Sequence, residues 1–284
     1  MKIFSKLALV ATTLLTLGTV HAEPDAKATY ADMQKTLGLV PTFMKAFPEA
    51  GIAAAWDELK SLELNPHTAL SPKTKELIGL AVAAQIPCKY CTYFHTQVAK
   101  LDGASDEDLK EAIAMAALTR HWSTVLNGLQ IDLGEFKQEL GRAFDYVKKG
   151  HATTDIAVVD QQSAYKDITQ TLGGVPTFMR RFPDEGISAA WREFKMIELN
   201  PHTSLDGKTK ELVGLGVAAQ IPCAYCIAFH TEAAKLNGAT DMEIREAVAM
   251  AALTRHWSTV LNGSMVDEAQ FRKEIDQVVK GAKK

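Results

Sequence analysis

Apolar positions recur along this chain three or four residues apart, the spacing of one helix face, and no stretch alternates with the two-residue period of a strand. Residues 53–64 carry apolar side chains around Trp56 and Leu59 and stop at Asn65-Pro66. Residues 73–85 form a second predicted helix, with Leu77, Leu80, Ala81 and Ala84 along one side. Ile86-Pro87 interrupts that pattern. Proline suits the first turn of a helix, so a third segment is expected from Cys88 to about Lys100, ended by Gly103. Ser105-Asp106-Glu107-Asp108 reads as a helix start leading through Ala112–Ala117 toward Asn127, and an amphipathic segment follows over 135–147. The predicted fold class is all-α.

The same pattern appears twice. A shift of 135 residues aligns 28–128 with 163–263, with 68 of 101 positions identical. The period is too long for a solenoid unit and close to an ordinary domain size. It predicts two tandem helical domains, 23–150 and 160–284, joined by a linker over 151–159 after Lys148-Lys149-Gly150. In the second copy Thr240-Asp241-Met242-Glu243 has the form of a capping box.

Residues 1–22 stand apart. Lys2 and Lys6 precede a largely apolar run from Leu7 to Val20, and Val20-His21-Ala22 offers a small-x-small cleavage pattern before Glu23. The run is short for a membrane span, which favours a cleaved signal peptide over an anchor, and no cysteine follows to carry a lipid. The expectation is an exported protein, periplasmic or secreted, in a compartment where disulfides persist. An apolar fraction of 47%, 23% charged residues and a net charge of -3 are those of an ordinary soluble globular chain. The absence of a basic run or a basic excess gives no sign of a nucleic-acid partner.

All four cysteines fall in two copies of one motif: Cys88 and Cys91 with His95, and Cys223 and Cys226 with His230. An acidic residue stands twelve positions before each first cysteine, Glu76 and Glu211. Cysteines near a helix N-terminus gain thiolate character from free N–H groups and the helix dipole. On a helix, Cys88, Cys91 and His95 share a face, and a neutral imidazole there can accept a thiol proton. Glu76 opens a stretch without another charge up to Pro87, a setting that raises a carboxyl pKa, and it can fold back to hold the imidazole. A dithiol can reduce a peroxide through a sulfenic acid that closes to a disulfide, or exchange with another disulfide.

These residues resemble a known family. Glu-x11-Cys-x-Tyr-Cys-x3-His, then an Ala-x-x-x-Gly-Ala turn and an acidic helix start, is similar to the alkylhydroperoxidase AhpD core of the carboxymuconolactone decarboxylase superfamily. The upstream Gly38-x-Val-Pro41 and Phe47-Pro48 segments match as well, and the resemblance covers both copies. It implies an all-α fold, Cys91 and Cys226 as attacking thiols, Cys88 and Cys223 as partner thiols, and a proton relay through His95 and His230 with Glu76 and Glu211. It further implies a hydroperoxide substrate, an external thiol or dithiol protein as reductant, and homo-oligomers, often threefold; it implies no flavin or haem, and no cofactor or metal is expected. Where the best-studied peroxidase members have a further histidine, this chain has Tyr90 and Tyr225, which become accessory candidates.

Plainer readings stand beside this one. Each pair could be a structural disulfide, although so small a loop gains far less than the ~3 kcal/mol of a 15-residue loop. The cysteines with or without histidine could bind zinc, but each copy carries its own His and Glu. A periplasmic thiol–disulfide oxidoreductase and a decarboxylase-like enzyme are the other functional alternatives. His121 and His256, in repeated Arg-His-Trp triplets, read first as packing residues and second as substrate-side groups.

Overall fold

The computed structural model describes residues 25–283, so the segment 1–22 read as an export signal lies outside the described residues. Among the described residues the elements are helical throughout and no strand occurs. The first repeat forms α1 (Ala26–Leu37), a 3₁₀ turn (Thr42–Ala46), α2 (Glu49–Leu62), α3 (Pro72–Gln85), α4 (Lys89–Leu101), α5 (Asp106–Gly128) and α6 (Leu133–Lys149). The second forms α7 (Gln161–Leu172), a short α8 (Thr177–Arg180) where the first has the 3₁₀ turn, α9 (Asp184–Ile197), α10 (Gly207–Gln220), α11 (Ala224–Leu236), α12 (Asp241–Gly263) and α13 (Glu268–Ala282).

Local chemistry sets the helix starts. Ser105 and Thr240 form capping boxes with Asp108 and Glu243, and Ser71 caps α3 ahead of Pro72. Pro87 does not open α4 as its helix-start preference suggests. It lies in the turn before the helix, and Cys88 takes the N-cap position, its sulfur accepting from the Cys91 N–H. Cys223 does the same for α11.

Helices α3 and α10 are buried on every side from Lys75 to Ala83 and from Thr209 to Ala218, as expected of helices with little polar face. They cross at the centre so closely that a Cβ on Gly216 would meet Ile78 Cγ2 at 2.8 Å. Each buried lysine beside this crossing is fully engaged. Lys75 Nζ donates to the Leu62 and Asn65 carbonyls at 2.7 Å and lies 3.3 Å from Glu246; Lys210 donates to Ile197 and Asn200 and lies 3.0 Å from Glu111.

The repeats exchange their C-terminal helices. One core cluster joins residues of α1–α4 to Trp257 and Leu261 of α12 and Phe271, Ile275 and Val279 of α13. The other joins Trp122, Leu126 and Phe136 of α5–α6 to α7, α9 and the cysteines of α11. Carboxylates stitch the exchange on both sides. Glu246 accepts from Thr68 and from the Ala69 and Leu70 N–H groups, while Glu111 accepts from Thr203 and the Leu205 N–H. Glu274 holds Thr42, and Glu139 holds Thr177. Packing units therefore do not follow the repeat boundaries in the sequence.

Candidate active site

Helices α3 and α4 run as consecutive neighbours, which brings Glu76 against His95 although 19 residues separate them. Glu76 Oε2 and His95 Nδ1 are 2.8 Å apart, as are Glu211 Oε2 and His230 Nδ1 in the second site. The approach depends on a glycine: a Cβ at Gly79 or Gly214 would lie 2.3 Å from the imidazole. Cys88 is joined to Cys91, and Cys223 to Cys226. All eight principal candidate residues are thus gathered into two matching clusters, each with its glutamate, histidine and cysteine pair buried.

The other repeat completes each cluster. Thr254 Oγ1 of α12 is 3.3 Å from His95 Nε2, and Asn262 Nδ2 donates to Cys88 Sγ at 3.5 Å. Thr119 and Asn127 of α5 do this for His230 (3.2 Å) and Cys223 (3.7 Å). Thr119 meets two members of its site, since its carbonyl oxygen also lies 4.0 Å from Cys226 Sγ. The cavity at the first site is lined by Cys91 and His95 together with Thr254, Trp257 and Phe271; that at the second by Cys226 and His230 with Thr119, Trp122 and Phe136.

A second carboxyl absent from the sequence-based site stands beside each histidine. Glu63, at the C-cap of α2, is buried with its Oε1 3.5 Å from His95 Nδ1 and without a hydrogen-bond partner among the described residues; Glu198 repeats this at His230. Burial, reinforced by the charge of Glu76, pushes the Glu63 carboxyl up to about 8, against the pull of His95 and Lys75. Glu198 is pushed up to about 8 in the same way. Desolvation also raises Glu76 and Glu211 well above the usual carboxyl range and lowers His95 and His230. These shifts all disfavour charge, so each cluster holds its protons on uncharged acids and neutral imidazole. The two carboxylate oxygens and the imidazole nitrogen in each cluster also lie within 4.8 Å of one another, a donor set that could share a cation as well as a proton.

The accessory candidates lie elsewhere. Tyr90 donates its hydroxyl to the Val266 carbonyl at 2.6 Å, and Tyr225 donates to that of Ile131 at 2.5 Å. Both tie the cysteine helix to the loop that precedes the exchanged helix, and neither contacts the histidine–glutamate pair by a hydrogen bond. His121 and His256 are exposed, with their rings tilted against those of Phe182 and Phe47 at 5.8 and 5.5 Å. Their neighbours Trp122 and Trp257 face the cavities instead.

Fold and site together define a helical protein with two buried centres, each a cysteine pair with a histidine and two carboxyls, and each shared between repeats. The chain belongs to the carboxymuconolactone decarboxylase family, whose domain it matches at residues 50–132 and again at 185–266. It is 40% identical over 52 residues to uncharacterized protein 4 in the cox locus of Paracoccus denitrificans, a match over 18% of this chain and 47% of that relative. The chain therefore spans about half the length of the curated relative it matches. In three dimensions it is similar to a crystal structure from Burkholderia xenovorans, provisionally described as a gamma-carboxymuconolactone decarboxylase subunit. The TM-score is 0.54 at 16% identity, covering 85% of this chain and 94% of that one, a likeness of fold alone.

Proposed function

We propose that this protein is a thiol-dependent peroxidase reducing hydroperoxides at two Cys-x-x-Cys centres. The observation that carries the reading is the division of labour within each pair. Cys91 and Cys226 face apolar cavities shared with the histidines, whereas Cys88 and Cys223 are turned toward N–H donors from their own helix and from the exchanged asparagine.

In the reduced protein the cavity-facing thiol gives its proton to the buried histidine–carboxyl cluster, and the thiolate attacks the peroxide oxygen. The O–O bond breaks, the sulfur becomes a sulfenic acid, and the cluster returns the proton to the departing alkoxide, releasing an alcohol. Glu63 suits that last step because it remains protonated near neutral pH beside the imidazole. Cys88, favoured as a thiolate by the Cys91 N–H and the Asn262 amide, then displaces hydroxide from the sulfenic acid, which takes up a proton to leave as water, and closes the disulfide. An external dithiol supplies the two electrons that reopen it. Burial of both sulfurs favours a small substrate over a disulfide in a folded partner. Export and homo-oligomerisation belong to the same proposal.

Replacement of both cavity-facing cysteines, Cys91→Ser with Cys226→Ser, is expected to abolish peroxide turnover supported by a dithiol reductant. Undiminished turnover in that double variant would remove the assignment.

A further inference from the structure

The two centres match in their reacting residues and differ in what covers them. At the first, Tyr93 of α4 donates its hydroxyl to Asp276 of α13 at 2.5 Å, and the Arg272 guanidinium lies 4.3 Å from the centre of the Tyr93 ring. The contact joins α13 to α4, the helix whose Cys91 and His95 line the first cavity, and Ile275 and Val279 of α13 are buried. The cavity left there is about 40 Å³. At the second centre the corresponding residues are Ala228 and Gly141, so neither half of the tyrosine–aspartate contact exists. The cavity under α6 is about 160 Å³, walled by Phe136, Leu140, Phe144, Leu172 and Phe229. Its lining includes Val147 and Leu236, both more than a third exposed, and its inner wall includes Cys226, His230 and Glu198.

A closed apolar cavity of ~150 Å³ is sufficient to hold a benzene ring. We infer that, within the peroxidase reading, the two centres divide substrates by size: the second takes organic hydroperoxides with an aromatic or branched apolar group, and the first takes only hydrogen peroxide or the smallest alkyl hydroperoxides. The Tyr93–Asp276–Arg272 contact, absent at Ala228 and Gly141, sets the difference. In each case the peroxide accepts two electrons from one thiol pair, giving an alcohol or water, one further water and a disulfide. The apolar group lies under α6 with the peroxide oxygens directed to Cys226.

The test uses full-length protein with one centre silenced at a time. Cys91→Ser leaves the second centre and Cys226→Ser leaves the first, and kcat/KM is measured for cumene hydroperoxide and hydrogen peroxide. The cumene-to-hydrogen-peroxide ratio is expected to be at least about tenfold higher at the second centre, the scale on which a pocket discriminates apolar groups. Ala228→Tyr with Gly141→Asp should lower that ratio at the second centre, and Tyr93→Ala should raise it at the first. If the double substitution perturbs folding, Ala143→Leu fills the same cavity from α6 and should lower the ratio as well. Equal ratios at the two centres would overturn the inference. Binding of 2-phenyl-2-propanol, followed by NMR on the oxidised protein, separates this inference from the chemistry. It should bind the wild type and weaken at least tenfold in Ala143→Leu even if neither peroxide is consumed. Binding unaffected by Ala143→Leu would contradict the proposed cavity.

Discussion

At the residue scale the most consequential groups are the second carboxyls, Glu63 and Glu198. Each is held up to about 8 in the folded protein against an ordinary value of 4.5. A raised carboxyl pKa contributes stability that is fully present below the unfolded value and is lost as pH rises through the folded one. Stability should therefore decline from about pH 4.5 to about 8. Glu63→Gln with Glu198→Gln should flatten that decline, as chemical denaturation at several pH values would show; an unchanged slope would mean that these groups ionise freely. The glycines opposite the imidazoles act through space alone. Gly79→Ala with Gly214→Ala must push each histidine off its glutamate. We expect a cost of at least ~2 kcal/mol per site, seen in thermal unfolding, from overpacking a filled interior. Turnover should fall about 10²-fold, the scale of a misplacement near 1 Å.

At the element scale, each cysteine helix is positioned by what lies at its N-terminus. Cys88 and Cys223 are the N-caps of α4 and α11, and an amide from the other repeat reaches each sulfur. Asn262→Leu, tested with the second centre silenced, removes one donor from the Cys88 sulfur. Disulfide closure at Cys88 should slow about tenfold, the scale of one lost hydrogen bond to a charged group. A sulfenic acid on Cys91 should then accumulate and be trapped by dimedone, and closure at the wild-type rate would show that the amide has no such role. The helices themselves were legible in the periodicity, because burial on one face leaves a local imprint every three or four residues. Glu76 and His95 were legible for a related reason: consecutive antiparallel helices bring nearby sequence together. Pro87 was less so, since a proline beside a cap serves equally in the turn or in the first helical position, and the sulfur of Cys88 settled the start. Glu63 gave only a faint signal. It precedes Asn65-Pro66 like any solvated helix end, yet recurs as Glu198 while its neighbours at 57, 59, 61 and 62 all change.

At the scale of the whole molecule, duplication produced two sequence units but not two independent sites. Thr254, Asn262 and Phe271 complete the first centre from beyond residue 250, and Thr119, Asn127 and Phe136 complete the second from before residue 140. Periodicity cannot report such pairing, because an exchanged helix presents the same apolar face to either partner. The tyrosines illustrate the point: Tyr90 and Tyr225 read as accessory candidates in the sequence, and in the structure each hydroxyl reaches the loop before the exchanged helix. Proteolytic cleavage between 150 and 159, where no helix runs, should leave the halves associated and active. Separation into two active halves on gel filtration would show that the exchange is not needed.

The most direct measurement is the titration of fully reduced protein with one cumene hydroperoxide or hydrogen peroxide per thiol pair, with the thiols mapped by mass spectrometry. The peroxidase mechanism predicts rapid consumption of peroxide with closure of Cys88–Cys91, Cys223–Cys226 or both, one peroxide per disulfide. Intact thiols, or peroxide loss no faster than with a free dithiol, would contradict it.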